Sequence, residues 1–269
     1  MPSAGENYAV YSSMYSLAGA VVFAIVYFLL FFAFVFKAIS RPTYVHFMLA
    51  FFCIIRICAF VIRALLIKEE SIGENLNVFI AYQIIYNVGF FGILYSAYTL
   101  VLDRMSFAKR RPNGPISMLL SRPFLFRIAL SAGIALGIAG ASIAATATKA
   151  STASTGSTLR EAAVYIFLAL SALVFLQTIF LARAESSDGT YKQTMDGFGA
   201  QNGAFILALI SLLLVAREAF FTATIHNTSE QNNEKLWYPL SALTELVAVI
   251  LFLIPGLVPA RKEIRDNNY

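Results

Sequence analysis

Long apolar runs separated by short polar gaps dominate the chain, and each run has the length of a membrane-crossing helix. Residues 75–102, 128–148 and 162–182 contain no Asp, Glu, Lys or Arg. At about 1.5 Å per residue, each covers the roughly 30 Å hydrocarbon core of a bilayer. The pattern predicts seven spans, at 14–38, 43–67, 76–102, 122–147, 158–182, 203–226 and 236–259. The connections are short, so residues 1–269 are expected to form a single domain, an all-α seven-transmembrane-helix bundle. Residues 145–158, rich in Ser, Thr and Ala, read as a mobile outer loop.

Composition strengthens the membrane assignment. The apolar share is 59%, above the roughly 45–50% of soluble domains, and the charged share of 13% is about half the usual value. Mean hydropathy is +0.72. The net charge of +5 is explained by where the basic residues fall. With the N-terminus outside, the cytoplasmic side holds Lys37, Arg41, Arg104, Lys109, Arg110, Arg111, Arg122, Arg183, Lys192, Arg261, Lys262 and Arg265, whereas the outer side holds Lys68, Lys149, Arg160 and Lys235. Twelve against four predicts an outside N-terminus and a cytoplasmic C-terminus, and argues against a nucleic-acid role. The first thirteen residues contain Glu6 and no basic residue, so the first span is expected to act as its own anchor. The sequon Asn227-Thr228-Ser229 falls between spans six and seven on the predicted outside, which makes Asn227 a glycosylation candidate.

Several function classes lack their residues. Cys53 and Cys58, the chain's two cysteines, share span two and stand too far apart along a helix for a disulfide. No Lys lies in the middle of a span to form a retinal Schiff base. His46 and His226 belong to opposite membrane faces, metal-ligand spacing is missing, and no nucleophile, base and acid come together, so neither an enzyme nor a cofactor is expected. The run 197–203 lacks the Lys-Ser/Thr ending of a phosphate loop. Asp103-Arg104 reads mainly as a pair at a helix end.

Charge inside the spans is the most informative chemistry. Arg217 and Glu245 each lie nine residues from the outer end of their spans and Arg56 lies eleven, which puts all three at about 13–16 Å depth. Glu218 adjoins Arg217, and the four charges sum to zero. Facing lipid, each costs roughly 2.5–3.5 kcal/mol, so they are expected to turn inward and pair, with Arg217 or Arg56 on Glu245. Such a cluster either locks helices together or also lines a ligand cavity. Arg63 and Arg127, nearer the span ends, are expected to snorkel.

Span three supplies polar neighbours at the same depth. Gln83 and Asn87 stack four residues apart, as do Tyr82 and Tyr86. The candidate ligand-binding set is therefore Arg56, Gln83, Tyr86, Asn87, Arg217, Glu218 and Glu245, although interhelical hydrogen bonding accounts for these residues equally well. Tyr95 and Tyr98 read as an inner aromatic belt. Span four carries Gly133 and Gly137 at GxxxG spacing in a run of small residues, for close approach to another helix of the bundle or of a second copy.

The last seventy residues carry a resemblance. Arg217-Glu218-Ala219-Phe220-Phe221, Trp237-Tyr238-Pro239-Leu240-Ser241, Glu245 and Pro255-Gly256-Leu257-Val258-Pro259 resemble a group of fungal seven-helix membrane proteins labelled family-C-like G-protein-coupled receptors. They are similar, more distantly, to the fungal lipid-translocating exporter family linked to aminocholesterol resistance, although that family's repeated Arg motif is not reproduced. The resemblance implies a fungal origin and a seven-helix receptor-like fold without the large outer ligand domain of true family-C receptors. A receptor-like sensor would hold a small apolar or amphipathic molecule in the outer half of the bundle. It would signal through the basic stretch from Arg104 to Arg122 to a cytoplasmic partner. The alternatives are a lipid or small-molecule translocator, and a structural or accessory protein of the plasma membrane or an endomembrane. No inverted repeat supports the translocator.

Overall fold

The computed structural model describes residues 7–107, 122–187 and 197–259. Among these residues there is no β-strand, and six helices are long and apolar enough to cross a membrane. They are α1 (Leu17–Ser40), α2 (Tyr44–Lys68), α3 (Leu76–Phe107), α4 (Pro123–Thr146), α5 (Ala150–Ser187) and α6 (Gly203–Ala223). The chain is a multi-pass integral membrane protein. The expected basic residues Lys109, Arg110, Arg111, Lys192, Arg261, Lys262 and Arg265 lie outside the described residues.

Local chemistry sets the helix boundaries. Ser16 caps α1 by accepting from the Gly19 amide at 3.0 Å, and Pro123 opens α4, where its missing N–H costs nothing. A last helical stretch runs from Glu234 through Trp237, passes a turn of π-helix at Tyr238–Ala242, and continues as α7 (Leu243–Leu251). Pro239 cannot donate to the preceding turn, and the wider π turn accommodates it. The expected span end at 259 is too long: the helix stops at Leu251 and turns follow to Val258. Pro255 disfavours helical geometry at Ile254, and Gly256 takes φ +82°, a conformation suited to glycine.

This last stretch runs the length of the bundle. At one end the Glu234 carboxylate accepts from the Tyr15 and Ser16 amides at 3.0 and 2.9 Å, just before α1 begins. At the other end the Leu253 carbonyl accepts from Lys37 Nζ at 2.5 Å, near where α1 ends.

The expected loop at 145–158 is instead helix from Ala150 onward, with the turn confined to residues 147–149. Ala favours helix, and Thr146, Thr155 and Thr158 return their hydroxyls to carbonyls four residues earlier at 3.0, 3.0 and 3.1 Å. Small residues bring α4 and α5 together: a Cβ at Gly140 would lie 2.6 Å from the Arg160 amide nitrogen, and one at Gly156 would lie 2.5 Å from that of Ala144. The glycines of span four thus meet a neighbour within the bundle.

Candidate functional site

The intramembrane charges converge. Arg56 from α2 donates through Nη2 to Glu245 Oε1 at 2.7 Å and through Nη1 to the Tyr86 carbonyl at 2.6 Å. Arg217 from α6 places Nε 3.0 Å from the same Glu245 oxygen, and its Nη1 pairs with Glu218. All four side chains are at most 3% exposed. Glu245 therefore serves both arginines, and the expected choice between them does not arise. Aromatic faces replace lost hydration: the Arg56 guanidinium carbon lies 4.2 Å from the Tyr86 ring centre, and that of Arg217 lies 4.2 Å from both Phe90 and Phe221. Gly89 is needed beside them, because a Cβ there would sit 2.9 Å from Arg56 Nη1.

α3 divides its polar residues between two faces. Tyr82 and Tyr86 turn into the core, where the Tyr86 hydroxyl bonds Ser241 Oγ at 2.8 Å, within the π turn. Gln83 and Asn87 turn toward a cavity of about 50 Å³ bounded by α3, α4, α5 and α6. Arg217 and Glu218 also line it, together with Arg160 and Gln231. Of the seven expected ligand-binding residues, Gln83, Asn87, Arg217 and Glu218 reach the cavity. Arg56, Tyr86 and Glu245 form the charged wall behind Arg217.

The wall leaves polar capacity unspent. Among the described residues, Arg217 Nη2, Arg56 Nε and Glu245 Oε2 are buried without a hydrogen-bond partner. Arg217 Nε also fails the directional requirement of a hydrogen bond despite its ion-pair distance from Glu245. Asn87 is exposed on α3, about 16 Å from the helix's N-terminal end, and its amide donates to the Gln83 carbonyl at 2.9 Å.

Two further charge pairs escaped sequence reasoning. Arg63 does not snorkel: it is fully buried, donates to the Tyr82 hydroxyl at 2.8 Å, pairs with Glu234 at 3.2 Å and lies 4.0 Å over Trp237. The aromatic group around it makes burial cheaper than an interfacial path. Arg104 is not a simple helix-end charge either. It pairs with Glu185 of α5 at 3.1 Å and donates to the Ala200 carbonyl at 2.8 Å and the Leu257 carbonyl at 3.5 Å. No signal at 104 separated this role from chance, because Glu185 lies 81 residues away. Arg127 remains exposed and donates to the Tyr95 hydroxyl at 2.6 Å. Tyr95 and Tyr98 are buried, however, and Tyr98 stacks on Phe126 at 3.8 Å, so they belong to the core and not to an interfacial belt. Asn227 is exposed and caps the helix Thr228–Asn232.

Fold and site together define a polytopic helical membrane protein with a charged, aromatic-lined interior beside a small, mostly apolar cavity that carries a few polar groups. The chain belongs to the family described as a domain of unknown function, DUF7702, which matches residues 9–262. No curated protein and no solved structure matches the chain.

Proposed function

We propose that the protein is a seven-span, receptor-like membrane sensor, with its N-terminus outside and its C-terminus cytoplasmic, that takes a small amphipathic molecule into its outer-half cavity. The observation that supports this most is the cavity itself, whose polar floor of Arg217 and Glu218 is continuous with Arg56 and Glu245. A ligand touching Arg217 touches a network that ties α2, α3, α6 and α7 together. In this reading the stretch from Glu234 to Leu253 is the seventh crossing, which the contacts of Glu234 and Leu253 with opposite ends of α1 support.

The inner side has a matching joint. Arg104 joins α3 to α5 and to the backbone just before α6 begins and after α7 ends. A two-state bundle needs elements whose contacts differ between states, and these charge joints are its natural candidates. The cytoplasmic partner would meet the basic stretch from Arg104 to Arg122, whose residues 108–121 lie outside the described residues. The resemblance to fungal family-C-like receptors is in keeping with this reading, which assigns the protein no enzymatic activity.

The test is ligand binding and movement by the purified protein in liposomes. Saturable binding without movement is expected. Robust transport or lipid scrambling without a partner would replace the sensor with the translocator of the exporter resemblance. If neither occurs, the charge network is purely structural.

A further inference from the structure

We propose that the cavity seats the anionic head of a single-chain amphiphile drawn from the bilayer, with Arg217 and Arg160 as its cationic contacts. This rests on the cavity being a ligand site and names the ligand's chemistry.

Charge balance gives the sign. Around the cavity and its wall stand Arg56, Arg160 and Arg217 against Glu218 and Glu245, three positive charges to two negative. Arg160 has no acidic partner among the described residues and bonds the neutral Gln231. Its neighbour Glu161 directs its carboxylate to the Tyr165 hydroxyl at 2.9 Å and to His226. One monoanionic head neutralises the set. Donor capacity is also present: Arg217 is 2% exposed, lines the cavity and keeps Nη2 without a hydrogen-bond partner.

Shape gives the route. Arg160 and Gln231 both line the cavity and are bonded to each other, and Gln231, in the connection that follows α6, is only 5% exposed, so this side offers little opening to the aqueous phase. The remaining lining includes Ile84, Val88, Ile134 and Ile138, and Ile138 of α4 is exposed on the lipid-facing surface. Asn87 is exposed on the same side of α3, where a polar amide facing hydrocarbon is costly unless a polar group meets it. A cavity of about 50 Å³ admits a small polar head and leaves the tail outside. The apolar lining gives that tail a path into the bilayer.

The experiment uses the full chain in nanodiscs of neutral phosphatidylcholine, with the fluorescence of the single tryptophan, Trp237, as readout. Trp237 is buried 4.9 Å from the Tyr86 ring, next to the charged wall. Oleate, oleyl alcohol and butyrate are titrated in parallel. Saturable oleate binding at least tenfold tighter than either control is expected. Arg217 also holds the core charges, so Arg160→Gln carries the test: it keeps a hydrogen-bonding group near Gln231 and should weaken oleate about tenfold or more while leaving oleyl alcohol unchanged. Equal binding of alcohol and carboxylate, or an unchanged oleate affinity in Arg160→Gln, overturns the anionic head and leaves the cavity as a ligand site. Butyrate as tight as oleate overturns the bilayer source. No saturable binding by any of the three overturns both this inference and the sensor reading.

Discussion

At the scale of single residues, Glu245 decides most, because one of its oxygens answers two arginines, Arg56 at 2.7 Å and Arg217 at 3.0 Å. Glu245→Gln leaves two buried cations facing one neutral amide. Breaking a buried pair costs about 3–5 kcal/mol, more than removing both members. The melting temperature in detergent should therefore fall further for Glu245→Gln than for Glu245→Gln combined with Arg56→Gln. Additive losses would mean that the two side chains do not interact. Arg63 offers a second contrast, since it combines a bond to Tyr82, an ion pair with Glu234 and a guanidinium stacked over Trp237. Lys keeps the charge but loses the planar stack and the fork of donors. Arg63→Lys should cost about 1–2 kcal/mol and shift Trp237 emission. An unchanged emission maximum and melting temperature would show that charge alone suffices there.

At the scale of elements, α4 and α5 are held together by missing side chains. A Cβ at Gly140 or Gly156 meets backbone of the partner helix at 2.6 or 2.5 Å, whereas one at Gly137 meets only the Ala163 methyl at 3.5 Å. Backbone cannot rotate away, so Gly140→Ala and Gly156→Ala should each destabilise by about 1–3 kcal/mol and Gly137→Ala by much less. Equal melting temperatures for all three variants would refute the close crossing. This pair of helices also shows what the sequence made legible. The GxxxG spacing at Gly133 and Gly137 announced close approach, but the closest contact runs through Gly140 and Gly156, and Gly156 lies in the segment read as a loop. Ser and Thr at 151–158 look polar in composition, yet hydroxyls returned to the preceding helical turn remove that polarity. The depth count found Arg56, Arg217, Glu218 and Glu245, because a charge in an apolar run is conspicuous. It missed Arg63 with Glu234 and Arg104 with Glu185, because charges near helix ends have an innocent explanation until the fold supplies the distant partner.

At the scale of the whole molecule, charge joints occupy successive levels along the bundle. Arg63 with Glu234 lies at the level of Tyr15 and Ser16, Arg56 and Arg217 with Glu245 lie deeper, and Arg104 with Glu185 lies toward the level of Leu257. The last stretch passes all three, from Glu234 through Glu245 to Leu257. Its 18 helical residues, Glu234–Leu251, span about 27 Å, and the turns that follow carry the chain past Lys37. On the proposed topology this segment is the seventh crossing, which with the six long helices makes the number odd. The proposed direction is the one the Lys and Arg excess predicts, with the N-terminus outside. A tag placed before Met1 should be open to protease added outside intact cells, and one placed after Tyr269 should be protected until the membrane is permeabilised. Asn227, exposed between α6 and the last stretch, should lie on the same side as the first tag. Glycan attachment in a eukaryotic host, lost in Asn227→Gln, would add an independent marker. If both tags are digested together, or both protected together, the last stretch does not cross. The charge cluster would then have to be assembled by a helix that enters and leaves on one side, which the opposite levels of Ser16 and Lys37 argue against.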